Sequence, residues 1–416
     1  MGGISLNILV LNCGSSSLKF QIIHVSQKTI ESNSEELLAK GVIERIGSQS
    51  LISLKGTGQK AQKKVFPFRD HAQAIDYVLK WLVGPDSQVK GISQLGDIDA
   101  VGHRVVHGGE KFSESVMIND EIIEGIEDCI ELAPLHNPAN LDGISAIRKL
   151  LGDAVPQAAV FDTAFHSEMS QENYLYPIPY QFYRRYKIRR YGFHGTSHRY
   201  ISYRYRTLMN ISKEETKVIT LHLGNGCSAC AINKGSSTDT SMGMTPLEGL
   251  TMGTRAGDID PAILEYLHLK EGISYNHIFN MLNKQSGLLG ISGLTNDMRE
   301  LLEEEDENQD RRAMLAIKIF CQRIKKYIGA YLANMNGADA IIFSGGIGEN
   351  SAIIRQRVCE DLSWFGIKVD RKMNEEMVGG NEGTISSPDS KVKVLVIPTN
   401  EELLIARDTF RSIKNT

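Results

Sequence analysis

Short apolar runs recur along the chain, each closing on a polar or glycine-rich turn. They are "LNILVLN" (6–12), "DAVGHRVV" (99–106), "AAVFDT" (158–163), "VITLHLG" (218–224), "DAIIFSGG" (339–346) and "VKVLVIPTN" (392–400). Runs of this length and punctuation predict strands. Helical spacing of apolar positions lies between them, most plainly in "HAQAIDYVLKWLV" (71–83) and "AMLAIKIFCQRIKKYIGAYLANM" (313–335). Strands interleaved with helices predict an α/β protein. The charged stretch "EEEDENQDRR" (303–312) reads as a solvated helix end or loop.

One pattern occurs twice. "ILVLNCGSSSLKFQII" near the start and "VITLHLGNGCSACAI" near the middle share a plan of apolar strand, Asn/Gly/Ser turn and apolar strand. Two such hairpins in two halves point to a duplicated α/β core with a boundary near residue 160. The C-terminal strand and helix (392–411) are expected to return to the first domain. The domains are then 1–160 with a return at 397–416, and 161–396.

The turn in "LNCGSSSLKF" (11–20) admits four readings: a plain hairpin, a lipoprotein cleavage site, a serine nucleophile or a phosphate-holding loop. "MGGISLNILVLNCG" lacks the positive flank of a signal peptide, and Asn12 is a poor residue to precede a modified Cys13. Leu6 stands where N-myristoylation needs Ser or Thr. No G-x-S-x-G elbow supports a serine nucleophile. A hairpin and a phosphate loop remain, and one segment can be both.

Composition removes further classes. A net charge of −4 with both signs interspersed, and no basic arm, does not favour nucleic acid. No apolar run reaches the roughly 20 residues that span a bilayer. Six cysteines in 416 residues do not make a disulfide framework, so reduced thiols in a cytoplasmic protein are expected. "CSAC" (Cys227, Cys230) lies in a strand-like run, where residues three apart point to opposite faces; zinc is not expected there. Nor is it expected at His103 and His107 of "HRVVH", which lead into a Gly-Gly turn.

Glycine and serine expose backbone N–H groups and permit close approach of a ligand. In the first turn Asn12, Ser15, Ser16 and Ser17 add side-chain donors, and Lys19 adds a charge. "HLGNGCS" repeats the idea with Asn225 and Gly226. "FSGGIGENS" (343–351) follows a strand and opens the helix "SAIIRQRVCEDL", a glycine-rich N-terminus suited to an anion. Arg104 in "GHRVVHGGE", His136 in "APLHNPAN", His194 and His198 in "RRYGFHGTSH", and Arg255 in "GLTMGTRAGDIDP" sit at strand ends or in glycine-rich segments. With Asp162 and Glu401 as strand-end carboxylates, these features suit phosphoryl transfer, which needs phosphate donors, cations and a Mg²⁺ carboxylate.

The blocks "NCGSSSLKF", "GHRVVHGGE", "APLHNPAN", "FDTAFH", "YGFHGTSH", "HLGNGCS", "MGMTPLEGLTMGTRAGDIDP", "SGGIGENS" and "PTNEE" occur in this order across nearly the whole chain. In this the sequence resembles the acetate kinase family, of the acetate and sugar kinase, actin and heat-shock ATPase superfamily. Cys13 departs from it, where alanine is more usual. The resemblance implies a duplicated actin-like (ribonuclease H-like) two-domain fold, a central nucleotide cleft and a homodimer with its contacts in the second domain. It implies reversible Mg²⁺-dependent phosphoryl transfer between ATP and acetate, with ADP and acetyl phosphate as products and Mn²⁺ as a possible substitute ion.

By motif, Asn12, Ser15, Ser17 and Lys19 fall in the first phosphate loop. Arg104, His136, Asp162, His194 and Arg255 fall at the reacting centre. His222, Leu223, Gly224, Asn225 and Gly226 fall in the second loop. Asp297, Met298 and Arg299, with Gly345, Gly346, Ile347, Gly348 and Asn350, fall in the adenosine site. Glu401, with Asn12 nearby, falls at the metal, and Arg104, Val106, Leu135, Phe193 and Pro246 at the acetate pocket. A propionate or other short-chain carboxylate kinase would keep every loop and change only that pocket. A sugar kinase would need a base and a larger polar pocket, and an ATP-driven chaperone or filament protein a partner-binding segment.

Overall fold

The computed structural model describes residues 4–415. Residues 1–3, on which part of the N-terminal reading falls, and residue 416 lie outside it. The chain divides into two compact units, Met1–Ala164 with Asn400–Thr416, and Phe165–Thr399.

The first unit is built on an eight-stranded sheet. Its strands are β1 (Ser5–Gly14), β2 (Ser17–Ser26), β3 (Glu36–Glu44), β4 (Gln49–Gly56), β5 (Gln62–Pro67), β6 (Ala100–Val105), β7 (Val116–Met117) and β8 (Gln157–Phe161). They are ordered β5-β4-β3-β2-β1-β6-β8-β7. β1 is apolar throughout its centre because both of its faces are covered. Successive side chains alternate between faces. Ile8 and Val10 pack with Ile405, Ala406 and Phe410 of the C-terminal helix Glu401–Asn415. Leu9 and Leu11 pack with Ile75, Val78 and Leu82 of the helix His71–Leu82 and with Ile147 of the helix Asn137–Leu151.

The C-terminal helix is seated by a buried fork. Arg407 donates from Nε to Glu35 Oε1 at 2.5 Å and from Nη2 to Glu35 Oε2 at 2.9 Å. Bidentate geometry of this kind fixes orientation as well as energy. The helix also lies close on β6: a Cβ at Gly102 would stand 2.4 Å from Thr409 Oγ1 and 2.8 Å from Ile405 Cγ2.

The second unit contains β9 (Lys217–Leu223), β10 (Cys227–Asn233), β11 (Ser236–Thr240), β12 (Ala340–Ser344), β13 (Gly383–Thr384) and β14 (Lys393–Val396), ordered β11-β10-β9-β12-β14-β13. The helix Gly195–Met209 covers one face through Ile201 and Tyr205, against Val218, Ile342 and Leu395. The helix Arg311–Asn334 buries Ala313, Ile317, Phe320, Ile324 and Ile328 at helical spacing.

The two sheets repeat one topology. β1 pairs antiparallel with β2 and parallel with β6, which pairs parallel with β8. β9 does the same with β10, β12 and β14. The duplicated hairpin read from the sequence is therefore the start of a duplicated sheet. Two details differ from expectation. β14 stays in the second sheet, in keeping with the bounds 161–396 and against a return of the whole stretch 392–411, so only the helix that follows it belongs with the first unit. The segment "GGIGEN" is itself a short helix, Gly345–Asn350, with a second helix, Ala352–Cys359, after it.

Gly102→Ala is expected to lower stability by about 1–3 kcal/mol, the scale of overpacking a close contact. Urea denaturation would measure it, and an unchanged midpoint would show that the helix shifts freely on β6.

Candidate active site

In the first unit the relevant side chains stand at the carboxyl ends of the parallel strands β1, β6 and β8, where α/β sheets place ligands. Asn12 lies near the end of β1 and pairs across the hairpin with Lys19; Ser15 and Ser16 form the turn, and Ser17 opens β2. Arg104 is the penultimate residue of β6, Asp162 follows β8, and Glu401 begins the C-terminal helix.

Arg104 is clamped. Its Nε donates to Asp162 Oδ1 at 3.0 Å, its Nη2 donates to Asp162 Oδ2, and its Nη1 donates to Asn12 Oδ1 at 3.1 Å. Each Nη keeps one further N–H for an anion. Glu401 Oε2 stands 3.9 Å from Arg104 Nε. Burial alone would lower the guanidinium's pKa, but Asp162 and Glu401 outweigh it and raise it. Burial pushes the Glu401 carboxyl up to about 7, with Arg104 opposing and Asp162 and Glu402 adding to the rise. A carboxylate so placed gains from a nearby cation.

His136 is the N-cap residue of the helix Asn137–Leu151 and makes no side-chain cap bond. The helix's first turn reaches back instead. Asn137 accepts from the His107 N–H at 3.1 Å and donates to the His107 carbonyl at 3.0 Å. Asn140 accepts from the Val106 N–H at 3.0 Å and donates to the Cys13 carbonyl at 2.8 Å. It thereby joins the end of β6 to the first turn. Val106 is buried, one residue past β6, whereas Leu135 is 47% exposed. The two other notable groups of this unit, His103 and His107, are buried and their pKa values fall to about 4 and 3, burial being the largest cause in each.

In the second unit the turn after β9 brings His194 and Arg255 together. A Cβ on Gly226 would lie 3.4 Å from Arg255 Nη1 and from both Cε1 and Nε2 of His194. His194 has a left-handed backbone, φ 57°, uncommon for a residue with a side chain. It begins the helix Gly195–Met209 without capping it, and its Nδ1 bonds Ser228 Oγ at 2.9 Å. The His222 ring lies 4.2 Å from the His194 ring, centroid to centroid, and its Nδ1 bonds Ser197 Oγ at 2.8 Å. Phe193 is buried, and the Pro246 carbonyl accepts from Arg255 Nη1 at 3.2 Å.

The loop carrying Arg255 is closed at its base, where Asp258 N–H donates to the Gly249 carbonyl at 3.0 Å and Asp258 Oδ1 accepts from the Gly249 N–H at 2.8 Å. Arg323 and Tyr327 of the helix Arg311–Asn334 hold that base from outside.

A cavity of about 1040 Å³ is lined by Gly224, Asn225, Asp297, Met298, Arg299, Gly346, Ile347 and Asn350, among others. Eight residues named from the sequence thus meet at one cavity. Gly345 and Gly348 do not line it. Gly345, φ 74°, backs onto β9: a Cβ there would stand 2.8 Å from Leu223 N and O. Its N–H is taken by Glu349 Oε1 at 2.8 Å, so the expected anion position on this helix holds the chain's own carboxylate. Asn140, Ser197, Ser228 and Glu349 were not singled out from sequence. Asn140, Ser197 and Ser228 do fall inside quoted blocks, as polar residues three or four positions from His136, His194 and Asn225.

A duplicated α/β protein with two strand-end loops rich in glycine and serine, an Arg104–Asp162 fork and a His194–Arg255 pair is equipped to handle anions. The chain matches the model of the Acetokinase family over residues 7–407. It is 59% identical over 413 residues to the acetate kinase of Chloroherpeton thalassium, covering 98% of this chain and 99% of that one. Its structure is similar to that of Porphyromonas gingivalis acetate kinase, with TM-score 0.90, 45% identity and coverage of 98% and 100%. It is also similar to a propionate kinase from Francisella tularensis, with TM-score 0.88, 42% identity and coverage of 98% and 99%. The chain belongs to the acetokinase family.

Asn140→Leu, which keeps the volume but strips both polar groups, leaves the Val106 N–H and Cys13 carbonyl without partners. It should lower stability by about 1–3 kcal/mol, the cost of orphaned buried groups. Thermal denaturation at a fixed protein concentration checks this, and an unchanged melting temperature would mean that water replaces the amide.

Proposed function

We propose that this chain transfers the γ-phosphoryl group of ATP to acetate, reversibly, giving acetyl phosphate and ADP by direct in-line attack. What carries the reading is the end-to-end kinship with acetate kinases; the Arg104 clamp supports it chemically. Acetate is already ionised at neutral pH, so its oxygen attacks without a general base. The difficulty is that two anions must approach each other. Arg104, oriented by Asp162 and Asn12, takes the acetate carboxylate. Arg255 and His194 donate to the transferring phosphoryl oxygens, whose charge is spread in the transition state. On this reading Asp162 acts through Arg104, a role that the fork between them supports, rather than as a nucleophile.

Magnesium ion would be held by Glu401 with Asn12 close by. Among the described residues no three His, Cys, Asp or Glu side chains converge on a metal position. That suits Mg²⁺, which usually takes one or two carboxylates and completes its shell with water and phosphate. When bound, the ion neutralises charge on the leaving phosphates. Manganese fits the same oxygen donors. The adenosine part of ATP occupies the cavity lined by Asn225, Asp297, Arg299, Ile347 and Asn350.

A homodimer joined through the second unit is part of the proposal. Ile263, Tyr266 and Leu269 on the helix Ala262–Glu271, with Tyr275 and Phe279 on the next helix, are exposed, and exposed apolar groups of this density mark interfaces. A cytoplasmic location goes with the reading. No helix among the described residues is long and apolar enough to cross a membrane.

The test is trapping by hydroxylamine: acetyl hydroxamate should form with ATP, Mg²⁺ and acetate, and chelation should abolish it. Folded protein that yields none would refute the activity. Arg104→Ala and Arg255→Ala should each lower kcat by about a hundredfold or more, the scale of one lost transition-state donor, and Arg104→Lys should restore little. A near-normal kcat in either alanine variant removes that residue from the reacting centre.

Acetate rather than propionate is favoured by the names of curated relatives at 57–59% identity, although one structural relative is a propionate kinase. If Val106 closes the pocket on the methyl group, one methylene is worth about 1–3 kcal/mol there. Val106→Ala should then raise the propionate-to-acetate ratio of kcat/KM, chiefly through KM. An unchanged ratio places Val106 outside the pocket.

A further inference from the structure

We infer that Thr220, His198 and Ser228 form a directional hydrogen-bond relay that holds His194 as the neutral tautomer with its proton on Nε2, the edge that lies against Gly226 beside Arg255. The assignment deepens the phosphoryl-transfer reading and rests on it.

Three contacts make the chain. Thr220 Oγ1 lies 2.7 Å from His198 Nδ1, His198 Nε2 lies 2.8 Å from Ser228 Oγ, and Ser228 Oγ lies 2.9 Å from His194 Nδ1. Thr220, His198 and Ser228 are fully buried, so no bulk water competes for their bonds. His198 is neutral: burial holds its pKa well below the usual histidine range, and His166 and His222 push the same way. A neutral imidazole carries one N–H, so one ring nitrogen donates and the other accepts.

Three proton arrangements make all three bonds with neutral rings; in one of them Ser228 accepts from both histidines and its own buried O–H is left without an acceptor, so two directions remain to be compared. In the first, Thr220 donates to His198 Nδ1, His198 Nε2–H donates to Ser228, and Ser228 donates to His194 Nδ1. The His194 proton is then on Nε2. In the second, every proton is reversed, and the Thr220 hydroxyl hydrogen must find another acceptor. Among the described residues Thr220 Oγ1 has no hydrogen bond besides that to His198. The second direction therefore buries an unsatisfied O–H, whereas the first leaves only spare lone pairs. An orphaned buried donor disfavours the second direction by about tenfold or more. An imidazolium at His194 is disfavoured on the same ground: Ser228 would then accept from both histidines and lose its own acceptor.

His194 is thus set to donate one neutral hydrogen bond to a phosphoryl oxygen and not to transfer a proton. That suits a reaction whose nucleophile arrives ionised. Ser228, His198 and Thr220 are positioning residues, since they act through His194.

The test uses full-length protein labelled with ¹⁵N-histidine. Long-range proton–nitrogen correlations distinguish the two tautomers, and His194→Asn identifies the signals of His194. The parent should show the Nε2–H pattern. Ser228→Ala should convert His194 to a tautomer mixture and lower kcat about tenfold or more, the scale of a misdirected transition-state donor, with KM for ATP and acetate within about twofold. Ser228→Thr, which keeps the hydroxyl, should restore the pattern. Thr220→Val, nearly isosteric, leaves only a lone pair of His198 Nδ1 unpaired in the first direction but a buried N–H in the reverse, so the Nε2–H pattern at His194 should persist. An Nδ1–H pattern in the parent or in Thr220→Val, or an unchanged pattern and kcat in Ser228→Ala, overturns the relay. A parent with the Nε2–H pattern but no acetate-dependent ATP turnover overturns the phosphoryl-transfer reading and leaves the relay standing.

Discussion

A guanidinium withdrawn from water needs a partner held more firmly than itself, and Arg104 has one in Asp162, whose side chain is fully buried. An unpaired charge in that position would cost several kcal/mol, so the two residues stand or fall together. Their pairing depends on strand register. Arg104 lies beside Val160 and Val105 beside Phe161 in the parallel β6–β8 ladder, and the Asp162 N–H still bonds the Val105 carbonyl at 3.0 Å. A slip by one residue would turn Asp162 to the opposite face of the sheet. The buried apolar strands β1, β6 and β8 and the helix bearing Ile405 and Phe410 resist that slip. Core packing in the first unit therefore has a chemical consequence, an arginine with a defined heading.

The second unit repeats the topology with a different binder. At the ends of β9 and β12 stand His222 and Ser344, and beyond β14 stands Thr399, instead of Asn12, Arg104 and Asp162. Hydrogen bonds join them. Ser197 bonds both His222 and Thr399 at 2.8 Å, and Glu349 Oε1 accepts from the Gly345 N–H at 2.8 Å and the Thr399 N–H at 3.1 Å. One sheet plan thus carries a clamped charge in one copy and a web of small donors in the other. Duplication supplied the scaffold; residue choice at the strand ends separated the roles.

The strands and the two long helices were legible because burial on both faces leaves unbroken apolar runs, as in "ILVL", and burial on one face leaves helical spacing, as in Ala313, Ile317, Phe320 and Ile324. The duplication was legible because its hairpins keep a polar turn between apolar arms. Three things were not. The return of the C-terminal helix without β14 depends on packing of Ile405 and the buried Arg407–Glu35 fork, which involves residues 372 positions apart. The helical state of "GGIGEN" defies the low helix propensity of glycine, because the close backing onto Leu223 leaves no room for side chains at Gly345. The supporting polar residues, Asn140 and Ser228, look like ordinary loop and strand residues. Only the fold shows that each reaches between two segments.

Glu349 also changes how the glycine-rich segment can work. A helix N-terminus ordinarily offers its N–H groups to an anion. Here the chain's own carboxylate already occupies the Gly345 N–H, and its charge opposes a phosphate at that point. On the phosphoryl-transfer reading, a nucleotide in the adjoining cavity would meet the flank of the segment instead, at Gly346, Ile347 and Asn350. Asn350 is held there, with Nδ2 on the Gly346 carbonyl at 3.0 Å and Oδ1 accepting from the Gly379 N–H at 3.1 Å. On the phosphoryl-transfer reading, this leaves the phosphates within the second unit to the turn after β9 and to the neighbouring Arg255 and His194, where positive and neutral donors stand together over Gly226. The segment that most resembles a phosphate loop in the sequence then serves the nucleoside, and the plainer turn "GNG" serves the phosphates.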